Sequence, residues 1–265
     1  MKKHFTLPLA CICLILILFS CTETTGVKVT KTFPVNSSYY YLYLDGGMRA
    51  KISDQVDQVV ITADEGVMEK IKVENTSGTL RIFRKDIALA YYTNAEVLIP
   101  YNPRLRQIEM SFDSELSTDY GIEGDEVKLR VEQRSKFWGY ILAESLDMKV
   151  TDHSAVFATY DVQNDMYLRV KDKSLVDLDG YADVIHLEMD ENSETEPRWQ
   201  QSNYYAFSCN TCYGTMSDNC KAFIDCEERI AMTLTKGSVL YYTSYPDIDD
   251  CLLDNSSDIV YNGGH

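Results

Sequence analysis

The sequence is poor in several features that mark other classes of protein. Its 265 residues include six prolines and four histidines, and 25 basic residues against 41 acidic ones give a net charge of −16. Because this charge repels phosphate backbones, we predict no nucleic-acid partner. Beyond the first 20 residues no apolar run is long enough to span a bilayer, so we expect no transmembrane helix there.

The sequence also lacks the residue spacings that are typical of catalytic sites and metal sites. The histidines are isolated, no Ser/His/Asp set can be assembled, and Cys209-x2-Cys212 has no histidine or second CxxC nearby to complete a zinc site. We therefore predict no metal, no cofactor and no catalytic residue. Two carboxylate pairs would suit a polysaccharide-cleaving enzyme, namely Asp177/Asp179 and Asp190/Glu191. No cluster of basic residues matches either pair in the spacing.

A short phrase recurs five times in the middle of the chain. Each copy has an apolar residue, a variable residue, a second apolar residue, three mostly polar residues and then serine. The copies are Ile108-Met110-Ser114, Leu129-Val131-Ser135, Met148-Val150-Ser154, Leu168-Val170-Ser174 and Leu187-Met189-Ser193. The serines lie 21, 19, 20 and 19 residues apart, and a fixed period near 20 is typical of solenoids.

The phrase has the periodicity of a β-strand. Its two apolar residues lie two positions apart, so both point to the same side of the strand. The serine follows the strand, where small polar residues form tight turns. Stretches such as 137–142 and 156–160 then predict a second strand on an opposite sheet. We therefore predict an all-β fold, a single-chain β-solenoid with rungs of about 20 residues.

The N-terminal segment has the features of a lipoprotein signal peptide. Lys2 and Lys3 precede an apolar run that ends in Leu18-Phe19-Ser20-Cys21. This end resembles the bacterial lipobox, in which a small residue precedes the lipidated cysteine. An ordinary signal peptide cleaved nearby, or an uncleaved anchor, is the alternative. We predict that Cys21 is lipidated and anchors the protein in the cell envelope. Thr22, rather than aspartate, follows it and favours the outer membrane.

Composition divides the chain into four predicted segments. Residues 1–20 are the lipoprotein signal peptide, and residues 21–32 are a polar tether. Residues 33–246 form the solenoid domain, in which residues 66–71 could form at most one helical turn. Residues 247–265 are an acidic polar tail that we expect to be loosely ordered.

Several local motifs occur in a recognisable order. After the signal come Phe33-Pro34-Val35, then Val97-Leu98-Ile99-Pro100 with Leu105, and then the ladder of short strands with turn serines. This order resembles the Bacteroidetes lipoproteins described as auto-transporter adhesins with a head GIN domain, over nearly all of residues 33–246. The resemblance implies a β-superhelix similar to pectin-lyase-like solenoids, a role in adhesion and no catalytic residues.

The chain departs from that family in its turns. The glycines that flank the turn serine in the family are replaced, as in Arg134-Ser135-Lys136, His153-Ser154-Ala155 and Lys173-Ser174-Leu175. Glycine tolerates positive φ without strain. Its loss predicts either turns of another type or a serine whose side chain closes the turn.

Function is less sharply indicated than fold. The sequence favours a membrane-anchored, non-enzymatic adhesion or binding module whose ligand is a glycan or a protein. One alternative is a polysaccharide-active β-helix enzyme, and another is an envelope structural protein without an external ligand. The enzyme would need carboxylates with lysine or arginine on one face of neighbouring rungs, and the spacing reveals no such cluster.

Two groups of side chains are candidate site residues. Aromatic residues outside the inward phrase could stack on sugar rings or contact a protein, although packing between strands also explains them. Those we single out as ligand contacts are Trp138, Tyr140, Trp199 and Tyr204.

The cysteines near the C-terminus form the second group. Cys209 and Cys226 occupy the same inward position of successive rungs, within reach of a disulfide. Cys212 and Cys220 could close a hairpin. The alternative is that all of these cysteines are buried free thiols that act as small apolar residues.

Overall fold

Strands dominate the structure, which is a computed structural model that describes residues 26–36, 38–85, 95–195 and 207–263. They form one 18-stranded mixed sheet. The one described helix, α1 (Glu65–Met68), is a single turn, as predicted. The strands are β1 (Lys28–Phe33), β2 (Tyr41–Asp45), β3 (Arg49–Ser53), β4 (Val59–Asp64), β5 (Ile71–Thr76), β6 (Thr79–Arg84), β7 (Glu96–Pro100), β8 (Gln107–Ser111), β9 (Glu115–Val131), β10 (Lys136–Val150), β11 (Ala155–Val170), β12 (Leu175–Met189), β13 (Glu194–Thr195), β14 (Phe207–Met216), β15 (Lys221–Leu234), β16 (Val239–Thr243), β17 (Leu252–Leu253) and β18 (Asp258–Tyr261).

The apolar residues of the recurring phrase form the central ladders of the sheet. Ile108 lies opposite Leu129, and the same ladder continues through Met148, Leu168 and Leu187 in parallel register. The second apolar residues form a matching ladder, and all ten side chains are at most 1% exposed. The prediction of inward-facing alternate residues is confirmed, and their burial is the main favourable term in the stability of the sheet.

The two strands predicted for each copy are joined into one long strand. Strands β9, β10, β11 and β12 have 17, 15, 16 and 15 residues, and each runs from one turn serine to the apolar pair of the next copy. The pairing register shifts in the middle of these strands, for example between Ala143 and Leu146 of β10. The chain therefore bends within the strand at an irregularity, where the sequence had suggested two separate sheets.

The sharp bend between copies is a corner turn of two left-handed residues followed by serine. Asp152 and His153 have φ of 60° and 62°, and they precede Ser154. Equivalent pairs at 112–113, 133–134, 172–173, 191–192 and 218–219 have φ between 52° and 63°. Left-handed backbone costs an L-residue roughly 1–2 kcal/mol, and Asp, Asn and His are the side chains that tolerate it best.

Hydrogen bonds between successive corners offset this strain. The N–H of Arg134 donates to the carbonyl of Asp152, and the N–H of Ser135 donates to Oγ of Ser154, at 2.8 and 3.2 Å. The serine also closes its own turn, since Ser114 Oγ donates to the carbonyl of Ser111 at 2.7 Å. The second alternative from the sequence is therefore the one that the structure shows. The turns keep the left-handed form without glycine, and the serine side chain closes them.

The N-terminal strands join the same ladders out of sequence order. Strand β2 pairs with both β6 and β8, and β3 pairs with both β7 and β9, all in parallel. The corner between β2 and β3 is Gly46-Gly47. A Cβ at Gly46, whose φ is +101°, would lie 2.6 Å from Cβ of Arg84. Glycine is thus required at this corner, because the β6 strand end packs directly against it.

The sheet extends beyond the boundaries predicted from composition. All but the last residue of β1 lie in the predicted tether, and the strand pairs antiparallel with β4. The predicted tail contains β17 and β18, which pair in parallel with β15 and β16. Residues 252–261 therefore continue the ladder, which corrects the expectation of a loosely ordered tail. The acidic composition concealed these strands, because Ile248, Cys251 and Ile259 are the apolar residues of the described tail that pack against the core.

We expect Ser154→Ala to destabilise the protein without changing its fold. The substitution removes the acceptor for the buried N–H of Ser135 and should cost about 1–3 kcal/mol. The midpoint temperature of thermal unfolding should therefore fall by several degrees. Ser117→Ala is the matched control, because Ser117 points outward from β9. Equal melting temperatures for Ser154→Ala and the wild type would contradict the role assigned to the corner serines.

Candidate functional site

A groove on the sheet face that follows the corner turns contains one of the predicted aromatic residues. This Trp138 groove has a volume of about 400 Å³. Its floor and walls include Lys51, Val60, Leu98, Ser117 and Trp138, so strands β3, β4, β7, β9 and β10 all contribute. The volume lies within the range of small-ligand sites, although the groove is open to solvent.

Trp138 presents one uncovered ring face to this groove. On one side its ring stacks on Phe157 of β11, with centroids 5.5 Å apart and planes 8° from parallel. On the other side its neighbour in register is Ser117 of β9. Serine is too small to cover an indole ring, so the row of stacked aromatics ends at Trp138. The Trp138 residue is 36% exposed, and its ring can accept a flat apolar partner.

Charged side chains at the rim of the Trp138 groove are paired with one another. Arg49 forms an ion pair with Glu115 at 3.2 Å, and Lys51 forms one with Asp119 at 2.6 Å. Exposed pairs of this kind contribute little to stability. They can exchange their partners for the polar groups of a ligand at small cost.

Of the other three predicted ligand-contact aromatics, the structure describes Tyr140. Tyr140 is also 36% exposed, and its neighbour in register is Gly121. Trp199 and Tyr204 lie outside the described residues, so their prediction stays untested. Tyr160 of β11, by contrast, is buried at 2% exposure, and its hydroxyl donates to the carbonyl of Ser208 at 3.4 Å.

A second groove lies on the sheet face that precedes the corner turns, and the sequence did not predict it. This Tyr167 groove has a volume of about 510 Å³, and Tyr167, His186 and Tyr213 form a row along it. The Tyr167 and His186 rings stack with centroids 4.4 Å apart, and Tyr213 follows at 6.1 Å. Their spacing of 19 and 27 residues hides the row in the sequence, because the second interval contains an insertion.

The Tyr167 groove also brings together carboxylates and basic residues. Asp147 on β10 forms ion pairs with both Arg130 on β9 and Arg169 on β11. On the same face Lys171 pairs with Glu188. The expectation that no such cluster exists is therefore wrong. The spacing missed it because the partners lie diagonally, 17 and 22 residues apart, and not opposite one another.

The cluster holds Asp147 in its ionised form. Burial favours the neutral acid, but hydrogen bonds and charge from Arg130 and Arg169 outweigh it and lower the pKa of Asp147. A general acid or base needs a pKa near the working pH. Both flanking arginines are already bound to Asp147, so this carboxylate serves as the centre of an ion-pair network and is poorly suited to proton transfer.

The structure places the five C-terminal cysteines in four different environments. Cys209 and Cys226 lie opposite each other on the parallel strands β14 and β15, as predicted. Cys212 lies opposite Ile230, and its thiol contacts Sδ of Met232 at 3.8 Å. Cys251 lies beside the carbonyl of Ile230 at 3.2 Å.

Cys220 takes the place of a corner serine. Its N–H donates to Oγ of Ser238 at 3.3 Å, as the serine N–H does in the earlier corners. Since β14 and β15 are parallel, Cys212 and Cys220 do not close the hairpin on which their predicted pairing depended. All five cysteines are free thiols in the structure.

Residues 26–36, 38–85, 95–195 and 207–263 contain no group of three or more His, Cys, Asp or Glu side chains that could hold a metal ion. No helix within them is long and apolar enough to cross a membrane. The predicted signal peptide and Cys21 lie outside these ranges.

Comparison with known proteins identifies relatives of the sequence and of the fold. The sequence model of a family described as "Putative auto-transporter adhesin, head GIN domain" matches residues 44–180, which is 137 of the 265 residues. No curated protein shows significant similarity to the chain.

Solved structures of low identity share the fold. A "putative adhesin" from Parabacteroides merdae has a TM-score of 0.73 and 12% identity, with 91% of this chain and 96% of that chain covered. A "putative adhesin" from Parabacteroides distasonis has a TM-score of 0.71 and 13% identity, covering 89% and 98%. A "putative lipid binding protein" from P. distasonis has a TM-score of 0.63 and 12% identity, covering 89% and 97%.

We expect Asp147→Asn to weaken the dependence of stability on acidic pH. Since the pKa of Asp147 is lower in the folded protein than in the unfolded chain, its ion pairs stabilise the fold above the unfolded pKa of about 3.9. This contribution is lost as the pH falls through the folded pKa. Urea unfolding at pH 7, 5 and 3 should show a smaller loss of stability for the variant than for the wild type. Parallel curves for the two proteins would contradict the network.

Proposed function

Since the chain belongs to the head GIN domain family of auto-transporter adhesins, we propose that it is an extracytoplasmic, lipid-anchored binding module without enzymatic activity. Its ligand is a glycan or a protein at the surface of the cell or of a neighbouring cell. The family description and the adhesin names of the structural relatives support a binding role. The observation that carries the proposal is the uncovered ring face of Trp138 in its groove.

We further infer that the sheet is wound as a β-solenoid. Strands of successive copies pair in parallel at a separation of about 20 residues, and equivalent corner turns lie on top of one another. Such a fold presents long columns of side chains on flat faces, which suits the recognition of extended ligands.

A binding role fits the chemistry of both grooves better than catalysis does. The carboxylate nearest to basic groups, Asp147, is held ionised between two arginines. In the Trp138 groove the charges at the rim are paired, and the exposed feature is an aromatic face. The polysaccharide-active enzyme therefore remains the weaker hypothesis.

The Trp138 face can accept two kinds of partner. The apolar face of a sugar ring stacks on indole, while its hydroxyls can bond to Ser117, Lys51 or Glu96 at the same groove. An aromatic or aliphatic side chain of a protein could occupy the same position. The glycan is our first choice, because polar groups surround the aromatic face on several sides.

The anchor completes the proposal. Cys21 would carry acyl chains, each buried CH₂ of which contributes about 0.8 kcal/mol to membrane binding. The first described strand begins at Lys28, so only a few residues separate the lipid from the sheet. The net charge of −16 keeps the folded body in water. The outer membrane is the proposed location.

We expect substitutions of Trp138 and Ser117 to weaken binding while the fold persists. Trp138→Ala removes the stacking surface and should weaken affinity by at least about tenfold, as for aromatic hot spots. Ser117→Phe should do the same by extending the aromatic row and covering the free face of Trp138. The measurement is retention of the soluble domain on a panel of glycans, envelope proteins and lipid vesicles.

The control for this experiment is Tyr241→Ala. Tyr241 stacks on Phe223 in a distant part of the same face, with centroids 4.6 Å apart, and should leave binding unchanged. If some ligand binds the wild type and both Trp138 groove variants equally well, the site is misplaced. Cleavage of a polysaccharide by the purified domain would favour the enzyme hypothesis.

The anchor is tested by Cys21→Ala in the full chain. We expect fatty-acid labelling to disappear and the protein to accumulate as precursor or in the soluble fraction, because the acylated thiol is lost. Cys251→Ala is the matched control and should still label. A Cys21→Ala protein that labels with palmitate and sediments with membranes would show that Cys21 is only the end of a signal helix.

A further inference from the structure

We propose that Cys209 and Cys226 are a site of oxidative modification, at which a disulfide joins β14 to β15. This goes beyond the binding role, since it concerns how the C-terminal part of the sheet is held. The structure selects this pair from the several pairings that five thiols allow.

The first argument is register. Cys209 and Cys226 are direct partners in a parallel ladder, and both side chains point inward and are fully buried. Adjacent strands are about 4.8 Å apart, and the Cα separation of a disulfide is usually 4.4–6.8 Å. The two thiols already interact as hydrogen-bonding partners, which raises the pKa of Cys209 and lowers that of Cys226. No large rearrangement of the strands is needed to join them.

The second argument is that the other cysteines have positions of their own. Cys212 faces the apolar Ile185 and Ile230 in its ladder. Cys220 occupies a corner, where its sulfur accepts hydrogen bonds from backbone N–H groups and replaces a serine hydroxyl. Cys251 directly precedes β17, and its thiol contacts the carbonyl of Ile230. These three thiols are expected to remain reduced.

The third argument is the position of the pair in the sheet. Cys209 is the third residue of β14, and the pairing register between β14 and β15 shifts directly after it, between Cys209 and Thr211. A covalent link to β15 would therefore fasten the two strands at the point where their regular pairing is interrupted.

The chemistry requires a disulfide oxidant, such as an exported thiol–disulfide oxidoreductase. The Cys226 thiolate attacks the oxidant disulfide, forming a mixed disulfide and releasing one oxidant thiol. Cys209 then loses its proton and attacks the sulfur of Cys226, and the second oxidant thiol leaves. Two S–H bonds are replaced by one S–S bond, and the oxidant accepts two electrons and two protons. Since both sulfurs are buried, this step precedes the packing of β15 on β14.

Peptide mapping tests the pairing directly. The full chain is exported to a bacterial periplasm. It is then unfolded without reductant in the presence of an alkylating reagent, which blocks the free thiols, and digested with trypsin. Residues 222–229 form a tryptic peptide whose only cysteine is Cys226, and residues 199–221 contain Cys209, Cys212 and Cys220. We expect these two peptides to be joined in the wild type, Cys212→Ser and Cys220→Ser. The link should disappear in Cys209→Ala and on reduction.

A thermal measurement provides an independent readout if a variant fails to fold. Reduction of the wild-type protein should lower its midpoint temperature by roughly 5–10 °C, since the closed loop is short, whereas reduced Cys209→Ala should not shift further. Complete alkylation of Cys226 in the unreduced wild type would overturn the proposal. Persistence of the cross-link in Cys209→Ala would assign it to another cysteine and equally overturn the proposal.

Discussion

The structure depends on the hydrogen bonds that connect one corner turn to the next. Each corner uses two left-handed residues, which are costly for side chains other than glycine. Contacts such as His153 N–H to the carbonyl of Asp172 and Ser154 N–H to Oγ of Ser174 satisfy the buried polar groups of these turns. They also fix the register, because a slip by one residue would break every corner and turn the apolar ladders outward.

A fixed register determines what the outer faces display. Residues about 20 positions apart become neighbours, so surface clusters are assembled from different copies of the phrase. Trp138 and Phe157 stack for this reason, as do Tyr167 and His186. The network around Asp147 uses the diagonal neighbours of the same lattice. Binding surfaces on this fold can therefore change without altering the inward ladders that stabilise it.

The periodic part of the fold was predictable because burial leaves a two-residue pattern in the sequence. The inward ladder through Met148 and Leu168 follows directly from it. The placement of β2 between β6 and β8 leaves no such pattern, since it depends on long-range pairing. Of the candidate sites, the neighbourhood of Cys209 and Cys226 followed from the period, whereas the Asp147 network did not, because diagonal contacts have no fixed spacing.

Stacking along the columns also restricts where a ligand can bind. A ring inside a row has both faces covered by its neighbours and offers only its edge. A free face exists only where the row meets a smaller residue, as Trp138 meets Ser117. The inward column through Cys209 and Cys226 follows the same geometry with a different outcome, because two small thiols in register can bond to each other. In both cases the regular spacing of the strands makes two particular side chains neighbours in register, and the nature of that pair determines what the site can do. Functional sites in this fold are therefore best sought at such pairs.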